Sequence, residues 1–286
     1  MKKVGRIIRI ISNQYTVEAE SLKYICTARG KFRNSKLSPV VGDMVELDLE
    51  TLTIDKILER KNYLDRPVVA NVDVALIVTS MKKPDLSLVL LDKLISIVSM
   101  NKIEPMICFT KLDLLEKEEV KEFKKLMKYY ESIGIKIVTN KDKTKIWKLL
   151  KDKVAVVTGQ TGAGKSTLLN KLDKNLNLET KPISEALNRG VHTTRHVELY
   201  EIGHCYIVDT PGFSALDLKN VTVEQLRDSF YEFRDCRCGF TDCTHNKEKK
   251  CGVKEGVDTG LIKQSRYENY LRFLGEVYES NSKLYK

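Results

Sequence analysis

Up to about residue 65 apolar and polar positions alternate in short runs, most clearly in Arg6-Ile7-Ile8-Arg9-Ile10-Ile11 and Met44-Val45-Glu46-Leu47-Asp48-Leu49. Alternation with a period of two marks strands with one buried face, and the turn residues Ser12-Asn13 and Gly42-Asp43 interrupt the runs. A small antiparallel β barrel is expected. From Asn71 the pattern changes to continuous apolar runs at 74–78, 105–109, 135–138 and 154–157, short enough for buried strands. Between them 86–100 and 117–132 carry apolar residues at helical spacing, for example Phe123, Leu126, Met127 and Tyr130. This alternation predicts an α/β domain on a largely parallel sheet. After Gly212 the strand signal fades, and helices are expected over 222–233 and 263–277, the second with Tyr267, Tyr270, Leu271 and Leu274 recurring at helical spacing. The chain therefore divides into a barrel (1–65), an α/β domain (66–221) and a mainly α domain (222–286).

Composition narrows the setting. The 286 residues are 42% hydrophobic and 7% aromatic, near globular averages, and no apolar stretch is long enough to span a membrane. Met1-Lys2-Lys3-Val4-Gly5-Arg6 opens an alternating pattern rather than an export signal, so a cytoplasmic protein without a membrane partner is expected. Lysine and arginine number 49 against 39 acidic residues, a net charge of +10 that favours a polyanionic partner, nucleic acid first among them. The loop Arg29-Gly30-Lys31-Phe32-Arg33-Asn34-Ser35-Lys36 interleaves cations with an aromatic ring, as surfaces that bind nucleic-acid backbone do. Seven cysteines make an odd number for a disulfide framework. Those at 236, 238, 243 and 251 crowd together, which points to metal in a reducing compartment.

The chemistry is most explicit at Gly159-Gln160-Thr161-Gly162-Ala163-Gly164-Lys165-Ser166, which follows an apolar strand and precedes the helical Thr167-Leu168-Leu169. This is a phosphate-binding loop. Its glycines let backbone N–H groups wrap a phosphate, Lys165 meets the β and γ phosphates, and Ser166 ligates Mg²⁺. Downstream, Cys205-Tyr206-Ile207-Val208 ends in Asp209-Thr210-Pro211-Gly212, placing a carboxylate for Mg²⁺ at a strand end and a glycine N–H near the γ-phosphate. Between them, one of Thr193 and Thr194 is the candidate for a hydroxyl that meets Mg²⁺ only in the triphosphate state. The base is read from Thr110-Lys111-Leu112-Asp113, again after an apolar strand. The Asp113 carboxylate accepts from the N1–H and exocyclic amine of guanine, whereas adenine offers no such donors. Lys111 can lay its methylene stem along the base.

In the third part, one histidine and three cysteines complete a tetrahedral set for structural Zn²⁺. His245, Cys243 and Cys251 serve with Cys238, or with Cys236 two residues earlier, since spacing leaves both open.

The order of these motifs, with the base reader before the phosphate loop and a cysteine–histidine cluster at the end, resembles the ribosome small-subunit-dependent GTPases with circular permutation. Arg66-Pro67, Asn71-Val72-Asp73, the Gly159-Gln160 opening and His192-Thr193-Thr194 extend the similarity over nearly the whole chain. The resemblance implies an OB-fold barrel, a permuted GTPase domain and a zinc domain whose ligands are Cys238, Cys243, His245 and Cys251. It implies GTP or GDP with Mg²⁺, and a monomer that binds the small ribosomal subunit and its rRNA late in assembly, hydrolysis being stimulated by that subunit. Two departures from the family pattern bear on affinity. Thr110 stands where the family generally has asparagine, so the amide that would contact the base and tie the loops is missing, and 138–140 matches the guanine-closing motif only loosely. Phe213 follows Gly212 where many GTPases have a water-orienting glutamine, so slow intrinsic turnover is expected, with His192 or a group from the partner positioning water. The competing readings are an RNA-binding scaffold with a slow nucleotide site, and an ATPase acting on single strands.

Overall fold

The computed structural model describes residues 1–32, 38–65, 67–173, 197–208 and 218–284. Strands β1 (Lys2–Ile11), β2 (Gln14–Ala19), β3 (Leu22–Ala28), β4 (Met44–Asp48) and β5 (Thr53–Ile57) close into a barrel in the order β1-β2-β3-β5-β4. Ile7, Val17, Val45, Leu47 and Ile54 fill it with no exposed surface. All neighbours are antiparallel except β3 and β5. An odd number of strands cannot close with every pair antiparallel, so the expected all-antiparallel barrel is corrected at this one seam. Ser12 and Asn13 both have positive φ and form a two-residue hairpin loop between paired Ile11 and Gln14. A short hairpin, β6 (Tyr63–Asp65) with β7 (Val68–Ala70), then leads to the sheet, and Val69 bridges back to Val41.

The central sheet runs β10 (Lys136–Thr139), β9 (Glu104–Thr110), β8 (Val74–Ser80), β11 (Val154–Gly159), β13 (Cys205–Val208), β12 (Leu199–Ile202). It is parallel throughout except for the β12–β13 hairpin at its edge. Side chains alternate between the faces, as the pleat requires. Ala75, Ile77, Ile107 and Phe109 pack with residues of α1 (Leu88–Met100) and α2 (Lys117–Ser132), while Leu76, Val78, Cys108 and Val157 pack with those of α3 (Lys143–Leu150) and α4 (Lys165–Leu172). With both faces covered, the strands read as unbroken apolar runs.

The third part contains α5 (Val223–Asp228), a 3₁₀ turn (Tyr231–Phe233), α6 (Gly252–Asp258) and the long α7 (Gln264–Leu284). The single helix expected over 222–233 is broken. Thr222 and Gln225 form a reciprocal capping box, and the helix stops because Phe230 turns to extended backbone, burying its ring against Phe233 and Tyr270 at centroid distances of 5.1 and 5.2 Å. Among the described residues no helix is long and apolar enough to cross a membrane.

This domain docks on α1 and α2 through a buried polar knot. Arg266 of α7 is 1% exposed. Its Nη1 donates to Asp92 of α1 at 2.8 Å and its Nε to Glu232 at 2.7 Å. Tyr130 Oη and Asn269 Nδ2 also donate to Asp92, each at 2.6 Å. Removing one member of a buried ion cluster strands the others in low dielectric. Arg266→Met should therefore lower unfolding stability by about 3–5 kcal/mol, read as a lower urea midpoint; an unchanged midpoint would contradict this account of the knot.

Candidate functional site

The loops that follow β8, β9, β10 and β11 gather at the carboxyl edge of the sheet, where parallel α/β sheets bind ligands. Gly159 ends β11 with φ of +131°, and a Cβ there would lie 1.9 Å from the Val78 carbonyl oxygen, so only glycine lets the loop leave the sheet at this point. Lys165 begins α4, and its Nζ donates to the carbonyls of Gly159 and Gln160 at 2.8 Å each, reaching back across the loop. Burial pushes its ammonium pKa down, a cost that an anion within the loop would offset. Ser166 is buried in the first turn, Ala163 is buried beneath the loop, and Thr161, Gly162 and Thr167 are exposed.

The loop after β9 is fastened to this one. The Thr110 hydroxyl, buried at 3% exposure, donates to the Ala163 carbonyl at 2.6 Å. The tie expected to be lost with the missing asparagine is thus made by a shorter side chain, which corrects that expectation. Lys111 takes a left-handed conformation and its Nζ donates to the carbonyls of Gly162, at 2.9 Å, and Lys83. Leu112 packs against the core, and Asp113 stands exposed in the 3₁₀ turn Leu112–Leu114. Thr110→Val keeps the volume and removes the donor, so it should weaken nucleotide binding several-fold and cost about 1–3 kcal/mol of stability, while Thr110→Ser loses the methyl group but keeps the hydroxyl donor and should bind nucleotide as the wild type does. Titration with a fluorescent guanine nucleotide and thermal melting separate the two variants; equal behaviour would mean that the hydroxyl does not matter.

The segment between β8 and α1 was not read from the sequence as part of the site. The Asp85 carbonyl accepts from Gln160 Nε2 at 3.2 Å, Lys83 holds Lys111, and Pro84 lies where a Cβ on Gly162 would meet it at 3.4 Å. These contacts run through backbone carbonyls and a proline ring, which carry no motif. After β10, the Asn140 N–H donates to the Phe109 carbonyl, and its side-chain oxygen is buried with no partner among the described residues. Arg66, His192, Thr193, Thr194, Asp209, Gly212 and Phe213 lie outside the described residues; β13 stops at Val208, paired with Val156 of β11.

A second cluster lies in the third part. Ligand atoms of Cys238, Cys243, His245 and Cys251 all fall within 4.8 Å of one another. His245 Nδ1 is 3.5 Å from Cys238 Sγ and 3.4 Å from Cys251 Sγ. Tetrahedral zinc with bonds of about 2.0 and 2.3 Å would separate such atoms by ~3.5 Å, so the donor set fits that ion. Cys236 instead points its Sγ at the Glu232 carbonyl, 3.5 Å away. Tyr267 and Tyr270 of α7 donate to the carbonyls of His245 and Thr244 at 2.7 and 2.6 Å, pinning the loop to the helix. Burial pushes the Cys243 thiol up to about 12 and the His245 imidazole down, so a cation here must displace thiol protons while finding the imidazole already neutral.

A phosphate loop bound to a Lys-x-Asp loop that precedes it in the chain, on one edge of a parallel sheet, defines a GTPase of circularly permuted order. Comparison with known proteins agrees. The family model described as RsgA GTPase matches residues 57–219 and that described as RsgA N-terminal domain matches 4–54. The chain belongs to the RsgA GTPase family. A protein of Oceanobacillus iheyensis named small ribosomal subunit biogenesis GTPase RsgA 2 is 44% identical over 283 residues, covering 96% of this chain and 97% of that one. A protein of Latilactobacillus sakei named small ribosomal subunit biogenesis GTPase RsgA is 44% identical over 287 residues, covering 96% of each. Among solved structures, YjeQ from Thermotoga maritima superposes with a TM-score of 0.83 at 35% identity, covering 97% of this chain and 99% of that one. YloQ, described as a circularly permuted GTPase, gives 0.83 at 34%, covering 98% and 96%.

Proposed function

We propose that this GTPase acts in biogenesis of the small ribosomal subunit as a cytoplasmic monomer that contacts the subunit's rRNA and is stimulated by the subunit. In this reading Asp113 accepts two hydrogen bonds from guanine and Lys111 lies along the base. Gly159 to Thr167 cradle the phosphates, Lys165 neutralises the β and γ groups, and Ser166 holds Mg²⁺. Asp209 would meet that ion through water, Thr194 and the Gly212 N–H would register the γ-phosphate, and His192 would orient the attacking water. Cys238, Cys243, His245 and Cys251 would hold a zinc ion whose four protein ligands leave no open position, giving it a structural role. The working units are residues 1–65, 66–221 and 222–286.

The observation that carries this reading is the pair of ties at 2.6 and 2.9 Å from Thr110 and Lys111 to the phosphate loop. They join two motifs distant in the chain into one cradle that addresses base and phosphate together. The test is GTP hydrolysis and co-sedimentation with purified small subunits, in GDP and in a non-hydrolysable GTP analogue. Stimulated turnover and triphosphate-dependent binding are expected. Nucleotide binding without stimulation would sink the subunit-stimulated switch, and preference for ADP over GDP would remove Asp113 from its role.

A further inference from the structure

The stretch Lys82 to Ser87 touches both nucleotide loops, through the Lys83 and Asp85 carbonyls, and Lys82 pairs with Glu119 of α2 at 2.6 Å. It runs without interruption into α1, where Ser87 is the cap: its Oγ accepts from the Leu90 N–H at 3.3 Å. Asp92 lies five residues further on, a distance of about 8 Å along a rigid helix. There its two carboxylate oxygens take three donors, from Arg266, Tyr130 and Asn269, with the Asp92 and Arg266 side chains each 1% exposed. The rest of α1 meets the C-terminal domain through Lys93 with Glu276 at 2.6 Å and Ser99 with Tyr231 at 2.9 Å. A carboxylate so fully engaged and so deeply buried does not yield continuously. A shift of α1 must be followed by α7 or must break a charge-assisted bond.

We propose that α1 carries the state of the nucleotide loops to the C-terminal domain, with Asp92 and Arg266 as its coupling pair. This coupling rests on the reading of the two loops as the guanine-nucleotide site. The physical step is local. A nucleotide that draws Lys111 to the base and loads the phosphate loop changes what the Lys83 and Asp85 carbonyls accept, and the capped start of α1 follows. Because coupling between two sites is reciprocal, the seating of α7 must in turn alter nucleotide affinity by the same factor. Asp92 is thereby a positioning residue, touching no nucleotide itself.

Hydrogen exchange on the full-length, zinc-loaded protein, with and without saturating GDP, tests this. GDP should slow exchange in 110–113 and 159–166, and it should also slow 264–274 by about fivefold or more, the low end of ordinary coupling. In Asp92→Asn, zinc retention and nucleotide binding should persist, GDP affinity should fall by about the same fivefold, and the GDP response of 264–274 should vanish. If GDP protects the two loops in the wild-type protein while 264–274 exchanges unchanged, the coupling is wrong although the site reading stands. A variant that only melts earlier, keeping the wild-type GDP response in α7, overturns the proposal as well. Absence of protection at the loops themselves would overturn the site reading, and the coupling with it.

Discussion

Asp113→Asn is expected to cost the protein its affinity for GDP and GTP by roughly 10²–10³-fold, because the bond from the 2-amino group is lost, at about ten- to a hundredfold, and the one from N1–H falls to a neutral acceptor. It should create affinity for xanthine nucleotides in exchange. Guanine presents two donors side by side, N1–H and the 2-amino group, and a carboxylate meets both with acceptors. Xanthine replaces the amino group by a carbonyl. An asparagine amide accepts from N1–H and donates to that carbonyl, whereas against guanine its NH₂ faces another NH₂. The substitution should leave the scaffold intact, because Asp113 is exposed and the loop that carries it is held by others: Thr110 on Ala163, Lys111 on Gly162 and Lys83, and Leu112 against the core. Displacement of a fluorescent nucleotide by GDP and by XDP gives the ratio directly, with melting temperature as the control. A variant that keeps the wild-type preference for GDP would place the base reader elsewhere.

How far the site could be read from the sequence follows from which atoms do the work. The phosphate loop was legible because its geometry needs glycine: Gly159, Gly162 and Gly164 all take positive φ. The strands were legible because burial on both faces demands unbroken apolar runs, and the helices between them because a single apolar face repeats. What escaped lies where ordinary residues adopt uncommon roles. Glu20 and Ser21 turn the β2–β3 hairpin with positive φ at both positions, as Ser12 and Asn13 do for β1–β2, yet glutamate has no turn preference and a lone serine gives a weaker signal than Ser12-Asn13. Strand β12 is four residues long and mixes Tyr200 and Glu201 between its buried ends. Phe230 ends a helix through the pull of a buried aromatic cluster, a tertiary cause invisible in the local pattern. Arg266 sits at a position that would read as a solvated cation on an amphipathic helix, and only the arrival of Asp92 and Glu232 from distant segments makes it a core residue. Thr110 read as a loss because a motif names a residue type, whereas the carbonyl of Ala163 needs only a donor within reach.

If the cluster holds the zinc proposed for it, stripping that ion should have a large structural effect, and it should stay within the third part of the chain. The segment from Arg234 to Cys251 has no helix or strand of its own among the described residues. Besides the four convergent ligands, it is held by Phe233 packed edge-on against His245 with centroids 5.3 Å apart, by the two tyrosine bonds to α7, by the Glu248 carboxylate, which accepts from Thr244 and Asn246, and by the Gly239 N–H on the Lys250 carbonyl. Structural zinc supplies about 10–16 kcal/mol of apparent binding free energy in small metal-folded modules, far more than those remaining contacts provide. A chelator should therefore unfold this loop while α7 stays docked through Arg266 and the barrel and sheet keep their cores. Thiol labelling resolves the outcome residue by residue. Cys26, Cys108 and Cys205 are each 1% exposed or less in the barrel and sheet and should remain unreactive throughout. Cys236, outside the ligand set and partly exposed, should react in the metal-loaded protein. Cys238, Cys243 and Cys251 should become reactive together only after chelation, and GDP should still bind. Because the ligand thiols must lose their protons to hold the metal, acid should mimic the chelator, releasing zinc as protons reclaim the thiolates. If chelation left those cysteines protected, the cluster would owe its order to packing alone, and subunit-stimulated turnover should then survive metal removal. Under the structural-zinc reading that stimulation is lost while nucleotide binding persists, which separates the role of the C-terminal domain from that of the nucleotide cradle.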